Sequence, residues 1–262
     1  DRYPSLAVGF SKEWAEQDLF LSVGYAEVEA LVGNPMNSSV GYSSWTYFND
    51  VDRDNPSLGV SQFEIPERMS AYMRWSPTLF ADLESRFSLT WSHNKGRPYS
   101  FVFNGYPDMR GDALDGDGDN MLLYVPTGPN DPNVVFADGF DTDAFFATMD
   151  SYGFERGAFV DRGQHYSPWY ARLNFKFEQM LPGLRTNDQS SVFFTIRNLG
   201  NFLNDEWGIY NFQSDHDIVD GQALNDGVDQ YYIYRNFRGL RDKGRSGRGS
   251  SYLVKIGFSY RF

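Results

Sequence analysis

Six stretches of the chain alternate apolar and polar side chains with a period of two, and a shorter seventh does the same. That period puts successive side chains on opposite faces, so each stretch predicts a strand with one apolar and one polar face. The apolar positions of the first two are Leu6, Val8, Phe10 and Trp14, then Leu19, Leu21, Val23 and Tyr25. The third and fourth carry Met69, Ala71, Met73 and Trp75, then Leu83, Phe87, Leu89 and Trp91. Trp169, Ala171, Leu173, Phe175 and Phe177 mark the fifth, and Val192, Phe194 and Ile196 the short one. The last runs Tyr252, Val254, Ile256, Phe258, Tyr260 and Phe262. Strands are expected at about 5–14, 19–30, 65–76, 83–93, 168–180, 191–199 and 250–262.

The connections narrow the architecture. Ala15 to Asp18, Pro77 to Asp82 and Leu181 to Ser190 are short. Residues 31–63, 94–164 and 200–249 are long, with 33, 71 and 50 residues, and short strictly alternates with long. Compact soluble domains rarely hold structureless loops beyond about 15 residues. Outer-membrane barrels have short periplasmic turns and long extracellular loops in this order. The polar faces carry full charges (Arg68, Arg74, Glu84, Arg86, Arg172, Lys176, Glu178), and the apolar faces tend to end in aromatics (Trp14, Trp75, Trp91, Trp169, Tyr260, Phe262). A wet lumen and an interfacial girdle would account for both. A soluble β-sandwich also alternates and stays as the competing reading.

Composition changes the picture in three places. Aromatics are 18% of the 262 residues, which suits girdles and packed loops. The net charge of −12 disfavours nucleic acid, since neutralising phosphates needs a basic face. The long loops hold −11 of that charge, −7 of it between Asn94 and Gln164. With no Cys there is no disulfide framework, thiolate nucleophile or Cys-based zinc site. No stretch approaches the ~20 apolar residues of a membrane helix, which leaves a membrane barrel open.

The C-terminal Lys255-Ile-Gly-Phe-Ser-Tyr-Arg-Phe262 is similar to the terminal signal read by the outer-membrane barrel-assembly machinery, carried here by Lys255, Gly257, Tyr260 and Phe262. Gly96-Arg-Pro-Tyr99, Asn120-Met-Leu-Leu-Tyr-Val-Pro126 and Arg197-Asn-Leu-Gly-Asn-Phe-Leu-Asn204 stand in an order that resembles the C-terminal part of TonB-dependent receptors. The branch resembled is the Oar-like one, with its carboxypeptidase-regulatory-like domain. The resemblance implies an all-β, antiparallel transmembrane barrel in the outer membrane of a Gram-negative bacterium. It also implies energised uptake through TonB–ExbB–ExbD, or the adhesion and export linked to Oar-like receptors. Such barrels have about 22 strands and a plug, and this chain offers six or seven strands, no plug and no TonB box. Residues 1–262 are therefore expected to be one barrel segment, completed by the rest of a longer chain or by a complementary chain.

Enzymatic chemistry finds little support. His93, His165 and His216 are far apart in sequence and outside any recognisable metal spacing, and no nucleophile elbow or phosphate-cradling glycine loop is present. Asp115, Asp117 and Asp119, with glycines between, resemble the start of a calcium loop, but the twelfth position from Asp115 is Pro126 and not a bidentate Glu. Calcium and a solvated turn both stay open. Trp45, Tyr47, Tyr99, Phe101, Tyr231 and Tyr232 are candidate platforms for an extracellular ligand, with mutual packing of the loops as the alternative. Arg241, Lys243, Arg245 and Arg248 are candidates for lipopolysaccharide phosphates.

Overall fold

All seven expected strands are present in the computed structural model, which describes residues 1–262 apart from 35, 37, 81, 106–119, 186–187 and 226–229. They are β1 (Ser5–Trp14), β2 (Leu19–Val28), β3 (Glu67–Trp75), β4 (Leu83–Asn94), β5 (Tyr170–Pro182), β6 (Gln189–Arg197) and β7 (Leu253–Arg261). Each pairs antiparallel with its predecessor, so the main sheet is a meander. The fold is all-β. Among the described residues β1 and β7 are the edges and do not pair with each other, so the sheet is open.

Register shows why the alternation matters. One row crosses the whole sheet as Trp14, Leu19, Trp75, Phe87, Phe177, Phe194 and Ile256. Trp75 stacks on Phe87 at 5.3 Å between ring centroids, and Phe87 meets Phe177 at 4.9 Å. Cross-strand apolar pairs of this kind contribute roughly 0.2–1 kcal/mol each. A slip of one residue would turn every strand's apolar set to the other face, so the row pins the register. The apolar face is not covered: Val8, Phe10, Ile256 and Phe258 are all more than half exposed.

The opposite face is polar and internally paired. Arg74 reaches Glu13 at 3.5 Å across β2, passing over the ring of Phe20. Glu178 is a hub, with Lys176 at 2.8 Å, Arg86 at 3.6 Å and the Ser191 hydroxyl donating to it at 3.1 Å. Phe193 lies across Gly257 on this face, where an added Cβ would overlap the ring. Gly257→Val is expected to displace that ring and cost about 1–3 kcal/mol by overpacking. The check is the denaturant midpoint of the variant against the unaltered chain; an unchanged midpoint would refute it.

Strand limits match expectation to within three residues, and the departures have local reasons. β6 stops at Arg197 because Asn198 takes a positive φ of 56° and opens the helix Leu199–Leu203. β7 starts at Leu253 because Ser246 caps a helical turn over Gly247–Ser250. Asp18 and Asp82, at φ 50° and 56°, close two of the short turns. Asp tolerates this left-handed region because its short polar side chain can bond nearby backbone.

The long loops carry secondary structure of their own. The second and third fold together as one mixed sheet ordered Val134–Phe136, Gln230–Phe237, His216–Asn225 and Phe101–Gly105. The helix Thr142–Tyr152 packs on it, started by Asp141 accepting from the Ala144 amide at 2.9 Å and ended by Gly153 at φ 70°. Phe103, Leu123, Phe145, Met149, Ile218 and Tyr234 are completely buried in this cap. Third-loop backbone reaches the main sheet's polar face, where Arg172 donates to the Gly249 carbonyl at 2.7 Å.

Candidate functional site

The three long loops converge on a cavity of about 440 Å³ at the loop end of the sheet. The first loop contributes Tyr47, Asn49 and Gln62 to it, the second Arg97, Tyr99 and Arg162, and the third Tyr210, Phe212 and Asp215. Arg162 holds the wall together. It is 7% exposed, donates to the carbonyls of Asn49 at 3.2 Å, Ser57 at 3.1 Å and Val32, and pairs with Asp50 at 3.4 Å. All four partners belong to the first loop, so one second-loop side chain sets its course. Burial lowers the Arg162 pKa, and the neighbouring Asp50 works against that shift.

Asp215 is the matching clamp from the third loop. Its carboxylate accepts from the Asn49 side-chain amide at 2.7 Å and from the Ser100 backbone N–H at 2.6 Å, tying all three loops at one residue. Burial raises its pKa, against the lowering effect of the two hydrogen bonds and of Arg241. The Ser100 hydroxyl in turn accepts from the Gly163 amide at 2.9 Å.

Arg97 enters the cavity differently. Its side chain is exposed and makes no ion pair or hydrogen bond among the described residues. Its backbone is nevertheless fixed: the Ser167 amide donates to its carbonyl at 2.9 Å, and Pro98–Tyr99 pair with His165–Tyr166. Gly96 presses so close to Ser167 that a Cβ there would overlap it. Gln62 likewise projects into the cavity with no hydrogen bond to its side chain among the described residues.

The sequence-nominated aromatics divide sharply. Tyr47, 55% exposed, and half-buried Tyr99 line the cavity. Burial and a neighbouring Tyr152 push the Tyr99 phenol up to about 12. Phe101, 1% exposed, and Tyr232 are core residues of the cap and present no face to a ligand, as the packing alternative required. Trp45 donates its indole N–H to Asp54 at 3.2 Å and stacks under Arg53, away from the cavity. Tyr231 sits opposite Leu224 in the cap sheet, also outside the cavity. Asp115, Asp117 and Asp119 lie outside the described residues. Lys255 faces Thr195, Tyr260 donates its phenolic O–H to Asp188, and Phe262 is fully exposed. Arg241 pairs with Asp217 rather than standing free for phosphate.

Sequence reasoning missed Asn49 and Arg162, and it met Arg97 only inside a family-like tetrapeptide. Their roles rest on contacts across more than 100 residues, which no local spacing announces. It also missed that His165 and His216, 51 positions apart in the chain, both lie against Tyr99, Phe101 and Tyr152. Compared with family models, curated proteins and solved structures, the chain finds no match in any of the three.

Proposed function

We propose that this chain is the C-terminal barrel wall of an outer-membrane receptor of the TonB-dependent kind, with the three-loop cavity as part of its extracellular ligand site. The observation that carries this reading is the uncovered apolar face of the main sheet. A soluble sandwich would bury that face under a second sheet, whereas Leu6, Val8, Phe10, Ile256 and Phe258 stand more than half exposed. Water penalises such surface at roughly 25 cal/mol per Å², and lipid does not. The charged opposite face then borders a lumen, and the cap stands outside the cell over its end. In a complete barrel, further strands continue from the open edges of β1 and β7, and a plug not among these residues couples the ligand to TonB–ExbB–ExbD. The wall and cap supply binding and positioning; no residue here is assigned a bond-breaking role.

Fractionation of the native source, followed by gel migration with and without boiling and by intact mass, tests the reading. A heat-modifiable outer-membrane band much heavier than 30 kDa is expected. A heat-modifiable band near 30 kDa would favour the second reading, a non-transporting adhesion or structural barrel in which the cap binds a partner and nothing passes. A soluble protein would sink the membrane reading and restore a secreted β-sandwich.

A further inference from the structure

We propose that the three-loop cavity receives an acidic sugar, with the ligand carboxylate seated on Arg97. The inference rests on the receptor reading only for the route by which the ligand arrives; the pocket chemistry stands on its own residues.

Charge bookkeeping inside the cavity leads to an anion. Arg162 is consumed by Asp50 and three carbonyls, and Asp215 by the Asn49 amide and the Ser100 N–H. Arg97 alone among the described charged lining residues has no such partner. Its guanidinium is the described lining cation left without a carboxylate or carbonyl partner, while Asp215 in the same lining is already held by two N–H donors. A guanidinium offers a planar fork of donors that a carboxylate can accept in bidentate fashion. The root of this fork is held by the Gly96–Ser167 contact and the Pro98–Tyr99 pairing, so part of the ordering cost of binding is met before the ligand arrives.

The rest of the lining decides what carries the anion. Tyr47, Tyr210 and Phe212 contribute aromatic rings to the lining, and Gln62 a side-chain amide with no hydrogen bond among the described residues. An aromatic face is electron-rich and suits the C–H face of a sugar ring. An amide both donates and accepts, so Gln62 suits sugar hydroxyl groups better than an apolar acid. The 440 Å³ volume falls within the range of about 300–1,000 Å³ typical of small-molecule pockets, more than a bare inorganic anion fills.

The test is calorimetric titration of the protein as purified from its native source, and of its variants, with digalacturonate, its methyl ester and inorganic phosphate. Digalacturonate is expected to bind, and its ester at least tenfold more weakly. Arg97→Gln is expected to weaken the acid at least tenfold with little effect on the ester, Arg97→Lys to weaken it less, and Gln62→Leu to weaken both ligands. Acid against ester on the unaltered chain needs no variant to fold. Failure of digalacturonate to bind, equal binding of acid and ester, or an unchanged Arg97→Gln variant would overturn the inference. So would phosphate binding as tightly as the sugar acid, which would make this an inorganic-anion site. Because titration requires neither uptake nor membrane location, these failures are distinct from failure of the receptor reading, which fractionation decides.

Discussion

Arg162→Met is expected to release the first loop from the cap and to cost about 3–5 kcal/mol, the range found when one partner of a buried ion pair is removed. Methionine matches much of the arginine's length and apolar stem, so the loss comes from polar groups rather than from an empty volume. The carbonyls of Val32, Asn49 and Ser57 each lose a donor, and buried Asp50 loses a cation at 3.4 Å. Unsatisfied buried acceptors cost about 1–3 kcal/mol each, less whatever water recovers. The partners of Arg162 all lie in the first loop, so the main sheet is expected to survive the change. Limited proteolysis reports the change: cleavage within 31–63 should accelerate by two orders of magnitude or more while 216–225 and 230–237 stay protected. Equal protection of 31–63 in the variant would show that the loop is held by something else. Arg162→Lys should recover only part of the stability, because one ammonium cannot serve carbonyls on several sides as the guanidinium fork does.

The contrast between main sheet and cap explains what was legible in the sequence. A strand in the sheet is specified by its own alternation, a local property with a period of two, and Trp75, Phe87 and Phe177 fell on one face as that period requires. The short turns followed from the spacing of those strands. The cap is specified by contacts between segments far apart in sequence, such as Val134–Phe136 running parallel to Tyr232–Tyr234. Phe101, Val102 and Phe103 are all buried, so this segment shows no alternation and reads as an apolar scrap in a loop. The aromatics there were noticed, but composition cannot distinguish a ring that lines a cavity from one that fills a core. Tyr99 and Phe101 are two residues apart; one borders the cavity and the other is the wall behind it.

Stability of the cap is expected to fall by about 3 kcal/mol as pH drops from about 6.5 to about 4, with His216 as the main cause. His216 is 2% exposed, ringed by Tyr99, Phe101 and Tyr152, and its Nδ1 accepts from the Arg241 backbone N–H at 3.0 Å. Protonation would put a charge in that enclosure and remove the acceptor. Burial, with the nearby cations of Arg241 and His165, pushes its pKa down from 6.5 to about 4, against the opposing pull of Asp217. Between those two values the unfolded chain holds a proton that the folded chain refuses, so stability decreases as pH falls through the window. A shift of that size corresponds to about 3 kcal/mol. His165, also lowered by burial, adds in the same direction. Asp215, raised by burial, acts oppositely above the normal carboxylate value and offsets part of the loss at the acid end. Hydrogen exchange over 216–225 and 230–237, followed from pH 7.5 to 4.5 and corrected for intrinsic rates, measures the effect. Protection should fall steadily through this window in the unaltered chain and more shallowly in His216→Gln, whose amide oxygen can keep the Arg241 hydrogen bond without titrating. Protection independent of pH, or equally steep loss in the variant, would remove His216 from the account and shift the acid sensitivity to the carboxylates.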